Sequence, residues 1–159
     1  MTHHLFLLRH AEAEQESAGG DINRPLTPRG LQSIEYIGKD LRARNERMEM
    51  LCSSTAVRAA ATARGVSGYL RYAADDIVWK PELYLAGLSE LLALLAECPV
   101  SCNQLMLVGH NPGLEKLMTY LAATDNSLTT ATLAKLETTE SWSALQPGCA
   151  KLIYLLKPG

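Results

Sequence analysis

Two histidines in the sequence each stand just beyond a short apolar segment. His10 follows the apolar residues 5–8 and an arginine, Arg9, and His110 follows residues 105–108 and a glycine. Each apolar segment is too short for a helix and has the length of a buried strand. In open α/β sheets, ligands bind in the crevice outside the carboxyl ends of the strands. We therefore expect both imidazoles and the Arg9 guanidinium to face one pocket.

A second arginine, Arg58, is expected in the same pocket. It lies in the first turn of an alanine-rich helix that follows a short strand and the cluster Ser53-Ser54-Thr55. A cation in the first turn opposes the helix dipole, so unless Arg58 is simply solvated, we expect an anionic group close to it. Guanidinium forks bind tetrahedral oxyanions through two hydrogen bonds at once and stay charged. Two guanidiniums and two imidazoles in one crevice therefore predict a phosphate pocket.

Two further charged residues are weaker candidates for the site. Glu82 follows Pro81 in the loop after the third predicted strand, and we consider it as a general acid. Arg24 follows a polar, glycine-containing loop at residues 11–21, which we expect to cover the pocket. Arg24 either forms a local ion pair or reaches the mouth of the substrate site. Asp21 is given less weight than Arg24.

The alternation of strand and helix patterns predicts an α/β fold in a single domain of 159 residues. The predicted strands are residues 5–8, 48–52, 77–79, 104–108, 132–136 and 150–156, and the predicted helices are residues 28–42, 56–72, 88–95 and 113–123. The direction of the last two strands is left open. Glu115, in the first turn of the last helix, is explained by the helix dipole alone.

Composition excludes several functional classes. A net charge of -2 with 20% charged residues indicates no nucleic-acid surface and no membrane surface. No apolar run approaches the roughly 20 residues that a membrane span needs. The amino terminus runs straight into the first strand without the pattern of a signal peptide. We therefore expect a cytoplasmic protein.

Motif spacing also limits the chemistry. The sequence contains no glycine-rich nucleotide loop, no nucleophile elbow of a serine hydrolase and no metal-ligand spacing of the phosphatase type. The four cysteines are scattered, and we expect free thiols at Cys52, Cys98, Cys102 and Cys149. We expect no cofactor and no metal. What remains is phosphoryl transfer with a histidine nitrogen as nucleophile and cations on the phosphoryl oxygens.

Four blocks, in order along the chain, carry a family resemblance. They are Leu8-Arg9-His10-Ala11, Arg24-Pro25-Leu26-Thr27-x-x-Gly30, Ser53-Ser54-x-x-x-Arg58-Ala59-x-x-Thr62-Ala63 and Val108-Gly109-His110-Asn111-Pro112-Gly113-Leu114-Glu115. Together they resemble the histidine phosphatase (phosphoglycerate-mutase-like) superfamily, and within it the short SixA-like phosphohistidine phosphatase branch. The segment at residues 147–152 is also similar to that branch. Ala11 stands where many members of the superfamily have glycine.

The resemblance implies a role for each matching residue. His10 would be the nucleophile that becomes phosphorylated, Arg9 and Arg58 would hold the phosphoryl oxygens, and His110 would complete the pocket. Larger members carry a glutamate after the third strand, and Glu82 is the nearest equivalent, although SixA-like members lack a clear motif there. The implied fold is a three-layer α/β/α sandwich around a mostly parallel mixed sheet.

The expected function is a cofactor-independent phosphatase that hydrolyses phosphohistidine, or another phosphorylated side chain of a partner protein, through a phosphohistidine intermediate. Inorganic phosphate or sulfate is expected to bind in the same pocket. Two alternatives stay open: a phosphatase for small phosphoesters, and a non-catalytic module that recognises phosphate. Mutase activity is a weaker option. The connections are short, and an open site suits a protein side chain better than a metabolite that needs enclosure.

Overall fold

Strands and helices alternate along the chain until two consecutive strands complete the sheet. The computed structural model describes all residues from 1 to 159. The strands are β1 (His3–Arg9), β2 (Met50–Ser53), β3 (Val78–Trp79), β4 (Gln104–Gly109), β5 (Leu133–Thr138) and β6 (Ala150–Leu156). The helices are α1 (Pro28–Ala43), α2 (Val57–Ser67), α3 (Leu88–Ala96) and α4 (Gly113–Ala122). No helix is both long enough and apolar enough to cross a bilayer.

All six strands form one sheet in the order β3-β2-β4-β1-β5-β6. The four strands from β3 to β1 are parallel to one another, whereas β5 is antiparallel to β1 and β6 is antiparallel to β5. The predicted mixed, mostly parallel sheet is confirmed, and the last two strands form an antiparallel pair. The central position of β1 and β4 brings their carboxyl ends together at the middle of one sheet edge.

Two hydrophobic clusters cover the two faces of the sheet. In β1, Leu5 and Leu7 belong to the cluster that includes α3 and α4, whereas Phe6 and Leu8 belong to the cluster that includes α1 and α2. Successive side chains of a strand point to opposite faces, so an uninterrupted apolar strand is buried on both sides. This arrangement is the three-layer α/β/α sandwich that the family resemblance implies.

Helix α1 begins where the sequence places it. The Thr27 hydroxyl accepts a hydrogen bond from the Gly30 N–H at 3.0 Å, and Pro28 is the first helical residue. The cap satisfies a backbone donor that has no partner within the helix, and proline at this position loses nothing because its N–H would be unpaired.

Helix α2 is shorter than predicted and ends at Ser67, after which a single 3₁₀ turn covers Gly68–Leu70. The glycines in this region weaken the helix. Gly65 is needed for packing as well, because a Cβ there would lie 2.6 Å from Cγ2 of Ile34 in α1. The two helices therefore pack closely on one face of the sheet.

Trp142, in the loop between β5 and β6, is part of the hydrophobic core. Its side chain is only 2% exposed, and its indole N–H donates to the carbonyl oxygen of Cys102 at 2.8 Å. Burial of a large aromatic ring with a satisfied N–H contributes to the core between the sheet and helices α3 and α4. Cys98 and Cys102 lie in the same core, and burial raises the pKa of both thiols.

Candidate active site

The register of β1 and β4 places His10 and His110 side by side. Arg9 is paired with Gly109 at the ends of these parallel strands, and the His10 N–H donates to the Gly109 carbonyl at 3.1 Å. The two histidines therefore leave adjacent strands at the same level, with ring centroids 5.2 Å apart. Both are buried, with 7% of His10 and 4% of His110 exposed. The structure thus brings together the two imidazoles that the sequence predicts in one pocket.

Local hydrogen bonds fix the orientation of the His10 ring. Its Nδ1 lies 2.8 Å from the carbonyl oxygen of Ala11, and because a carbonyl only accepts, Nδ1 carries the proton. The Ala11 N–H in turn donates to Oγ1 of Thr62 in α2 at 3.0 Å. The other ring nitrogen, Nε2, keeps its lone pair and accepts from Nε of Arg58 at 3.3 Å. Nε2 is therefore the nitrogen available for attack.

Arg58 lies across the site, with its side chain 3% exposed. Besides the bond to His10, its Nη1 donates to the backbone carbonyl of Asp21 at 2.7 Å and its Nη2 donates to Oδ2 of Asp21 at 3.1 Å. Nη2 also lies 3.5 Å from Nδ1 of His110. The guanidinium therefore contacts both histidines and a carboxylate. Asp21 is the anionic group that the position of Arg58 in the first turn of α2 led us to expect.

The loop at residues 11–21 is fixed at its base, and this brings Asp21 over the site. Ala13 and Leu26 form an antiparallel bridge, and the Thr27 N–H donates to the Glu12 carbonyl at 3.0 Å. A Cβ at Gly30 would lie 2.3 Å from that same carbonyl oxygen, so glycine permits the close approach. The loop therefore covers the pocket, as the sequence predicts.

Three donors surround the Asp21 carboxylate. The Tyr84 hydroxyl donates to Oδ2, Arg24 donates from Nε to Oδ1 at 2.9 Å, and Arg58 donates to Oδ2. The hydrogen bond from Tyr84, followed by those from Arg24 and Arg58, lowers the pKa of Asp21 to about 2. Asp21 is therefore an anion at neutral pH and can only accept protons there. Arg24, for which the sequence left two roles open, forms a local ion pair with Asp21 at this loop.

His110 is oriented by Ser54, which lies between β2 and α2. The His110 Nε2 lies 2.8 Å from Oγ of Ser54, and that hydroxyl oxygen also accepts from the Ala56 N–H at 3.2 Å. Ser54 is held in place because its own N–H donates to the Val108 carbonyl at 3.0 Å. The rings of Tyr84 and His110 form a T-shaped pair, with their centroids 5.4 Å apart. His110 therefore presents Nδ1 to Arg58 and to the pocket.

Both imidazoles have lowered pKa values. Burial lowers the pKa of His10 to about 4, and the positive charges of Arg58, Arg9 and Arg24 act in the same direction. Burial, together with the neighbouring His10 and Arg58, lowers the pKa of His110 to about 3. Both rings are neutral at neutral pH. Nε2 of His10 therefore carries no proton, and no base is needed before its lone pair can attack.

Arg9 reaches the site from the end of β1. Its Nη1 donates to the backbone carbonyl of Leu128 at 3.1 Å, whereas its Nε is buried without a hydrogen-bond partner. Its positive charge contributes to the lowered pKa of both His10 and His110. A buried N–H that has no partner is costly unless an acceptor reaches it. A bound oxyanion is the kind of acceptor that would satisfy it.

Glu82 lies apart from these residues. It lines a surface groove beside α3 together with Lys80, Glu90 and Glu97, and no hydrogen bond or ion pair joins it to Arg9, His10, Arg58 or His110. The reason is local: Glu82 is the middle residue of the 3₁₀ turn Pro81–Leu83, and Tyr84 directly after the turn is the residue that reaches the site. The acid role of Glu82 stays a prediction.

The assembled site combines a neutral nitrogen nucleophile with two guanidiniums and a second imidazole. Nitrogen nucleophiles attack phosphorus, and guanidiniums stabilise the charge on the equatorial oxygens during phosphoryl transfer. No group of three or more histidine, cysteine, aspartate or glutamate side chains is arranged to hold a metal ion. The residues present can therefore bind a tetrahedral oxyanion and accept a phosphoryl group on His10.

Comparison with known proteins agrees with this chemistry. The family model of the histidine phosphatase superfamily (branch 1) matches residues 5–83. A protein from Nakamurella multipartitia described as a phosphohistidine phosphatase SixA has a TM-score of 0.84 and 28% identity, with 99% of this chain and 97% of that chain covered. A protein from Agrobacterium tumefaciens with the same description has a TM-score of 0.82 and 29% identity, with 98% of each chain covered.

A third solved structure is similar in fold. It is the protein histidine phosphatase SixA complexed with tungstate, which has a TM-score of 0.83 and 23% identity, with 98% of this chain and 97% of that chain covered. The matched family region contains Arg9, His10 and Arg58, and the similar structures extend over β4, α4 and His110 as well. The chain is thus similar to the histidine phosphatase superfamily over residues 5–83 and to SixA phosphohistidine phosphatases over nearly its whole length, and these similarities support a phosphatase of the SixA-like branch.

Proposed function

We propose that this phosphatase hydrolyses phosphohistidine in a partner protein through a phosphoryl group carried on Nε2 of His10. The observation that carries the proposal is the state of the His10 ring. Its proton is held on Nδ1 by the Ala11 carbonyl, so the Nε2 lone pair points at Arg58, a donor that binds oxyanions. A nucleophile next to a charged donor suits attack on a phosphoryl group.

The first step transfers the phosphoryl group to the enzyme. Nε2 of His10 forms a bond to phosphorus while the bond from phosphorus to the substrate imidazole breaks. The electron pair of the broken bond stays on the nitrogen of the substrate imidazole. In the second step, water attacks phosphorus, the bond to Nε2 breaks, and inorganic phosphate leaves. Arg9, Arg58 and His110 would bind the phosphoryl oxygens in both steps. That the SixA protein of the same fold binds tungstate, a tetrahedral oxyanion, supports an oxyanion pocket.

The protonation states in the site favour an imidazole as leaving group. Asp21, the carboxylate nearest the two histidines, is an anion, and His10 and His110 are neutral. None of these groups is an effective proton donor to an alkoxide at neutral pH. Imidazole has a pKa near 6.5, so it departs with far less help than an alkoxide does. Phosphohistidine therefore fits the site better than an alkyl phosphate.

The partner follows from the same chemistry. Phosphohistidine is a protein side chain, so the substrate would be the surface of a phosphorylated protein. The exposed Asp21 and the half-buried Tyr84, which are hydrogen-bonded to each other, lie beside the buried histidines, and the phosphorylated side chain would approach next to this pair. The cytoplasmic location expected from the sequence stays a prediction.

Turnover of matched substrates tests the proposal. A protein carrying phosphohistidine should be hydrolysed with a higher kcat/KM than phosphoserine peptides or alkyl phosphates, with an aryl phosphate in between because its leaving group is a better one. His10→Ala should abolish hydrolysis of all of these substrates. A preference for alkyl phosphates would show that the site supplies an acid and would overturn the assignment of substrate.

A further inference from the structure

Glu115 makes contacts that the helix dipole does not account for. It is the third residue of α4, a position where any acidic side chain is favourable. Its Oε2, however, accepts from Nδ2 of Asn111 at 2.6 Å and from the backbone N–H of Leu128 at 3.0 Å. The Glu115 side chain therefore connects the start of α4 to the loop that precedes β5.

This loop holds Arg9. The carbonyl oxygen of Leu128 accepts from Nη1 of Arg9 at 3.1 Å and from Nδ2 of Asn111 at 2.7 Å. Leu128 is fully buried, so its side chain anchors the loop. Its backbone N–H and carbonyl oxygen are the groups that bond to Glu115 and to Arg9. Glu115 thus fixes the N–H of the residue whose carbonyl receives the Arg9 guanidinium.

The same contacts extend to His110. Asn111 directly follows His110, and its Oδ1 accepts from the Glu115 N–H at 3.3 Å. The Asn111 amide therefore bonds to Glu115 through both of its polar atoms. A single carboxylate is linked in this way to the segments that carry two members of the phosphate pocket, Arg9 and His110.

Charge supports this connection. Arg9 forms no direct ion pair with a carboxylate, although its guanidinium is half-buried. Burial lowers the pKa of Arg9, and the negative charge of Glu115 partly restores it. Glu115 is therefore the counter-charge of Arg9, acting across the Leu128 peptide.

We propose that Glu115 is a positioning residue that sets the Arg9 guanidinium for binding the phosphoryl oxygens, acting through the backbone of Leu128 and the amide of Asn111. The inference rests on the proposed function only in assigning Arg9 to the phosphoryl group. It predicts that the effects of changing Glu115 and Arg9 are strongly coupled, because residues that share one hydrogen-bond network are not independent.

The test is a double-mutant cycle with tungstate binding measured by calorimetry as its readout. Glu115→Gln should weaken tungstate binding about tenfold in the natural chain, a change in the middle of the range for groups in one network. In an Arg9→Lys background, the same substitution should weaken binding by less than about threefold. Equal effects in both backgrounds, or no effect in either, would refute the inference.

A matched control is available in α3. Glu90 is also the third residue of its helix, and its Oε1 accepts from the Gly87 N–H at 3.2 Å, away from the pocket. If Glu115 acts only on the helix dipole, Glu90→Gln and Glu115→Gln should lower the thermal midpoint alike and leave tungstate binding unchanged. We expect only Glu115→Gln to weaken binding.

Two further measurements keep the outcome decisive. If Glu115→Gln does not fold, Asn111→Ala removes the three side-chain hydrogen bonds of Asn111, two with Glu115 and one to the Leu128 carbonyl, and the cycle with Arg9→Lys is run on that variant. Because tungstate binding requires no turnover, a failure of phosphohistidine hydrolysis would overturn the proposed function while the cycle still reports on Glu115 and Arg9.

Discussion

Removal of the Arg58 guanidinium should cost the protein most of its activity. In the structure its three nitrogens contact His10, His110 and both the backbone and the side chain of Asp21. We expect these N–H groups to turn to the phosphoryl oxygens when substrate binds. A net contribution of about 1.5–3 kcal/mol for each charge-assisted bond means that even one lost bond lowers kcat/KM by about tenfold. Loss of a bidentate pair should lower it by about a hundredfold or more.

The loss should be partly reversed in Arg58→Lys, because an ammonium keeps the charge and loses the planar fork. The assay is kcat/KM on an aryl phosphate, with circular dichroism and a thermal melt to verify the fold of Arg58→Ala. Arg64→Ala is the matched control, since Arg64 lies on the same helix but stacks on the Trp79 ring at 4.7 Å. Near-normal kcat/KM in a folded Arg58→Ala protein would refute the assignment of Arg58 to the phosphate.

Two further predictions concern pH and metal ions. The pKa values of about 4 for His10 and about 3 for His110 lie below the unfolded value near 6.5, so the unfolded state binds more protons and the free energy of unfolding should fall as pH drops from about 6.5 to 4. At about 1.4 kcal/mol per pKa unit, His10 alone accounts for about 3 kcal/mol of this loss in the free energy of unfolding. In urea titrations, the free energy of unfolding of His10→Gln should therefore depend less on pH than that of the natural chain. An equal dependence on pH in both proteins would contradict the lowered pKa of His10. A chelator should leave hydrolysis unchanged, because the pocket residues act without a metal; complete loss that a divalent ion restores would show otherwise.

The sequence predicted the parts of the site that depend on strand order and register. His10 and His110 each follow an apolar run of strand length, and parallel strands in one sheet bring such residues to a common edge. The position of Arg58 in the first turn of a helix was enough to predict a nearby anion. These inferences hold because they rest on local patterns and on one rule of α/β topology.

The identity of the anion depended on tertiary structure. Asp21 lies 37 residues before Arg58, and only the folded loop at residues 11–21 brings it to the guanidinium. Its short spacing from Arg24 was the one available signal, since residues three apart pair readily in a turn. The sequence also could not show that Tyr84, and not Glu82, reaches the site, because this depends on where a single 3₁₀ turn ends.

The closing strands and the Glu115 contacts were also beyond the reach of sequence patterns. A hairpin and a crossover have the same apolar pattern, so the direction of β5 followed only from its pairing with β1, and that of β6 from its pairing with β5. An acidic residue in the first turn of a helix already has a sufficient local explanation, and this concealed the contacts of Glu115 with Asn111 and Leu128.

The central claim is that His10 carries the phosphoryl group during turnover, and trapping this intermediate tests it most directly. Labelled substrate is mixed with the enzyme, the reaction is quenched rapidly in base, and the modified peptide is identified by mass spectrometry. We expect an acid-labile, base-stable phosphate on Nε2 of His10 that is absent from His10→Ala. A phosphoenzyme that persists in His10→Ala, or an acid-stable adduct on another residue, would contradict it.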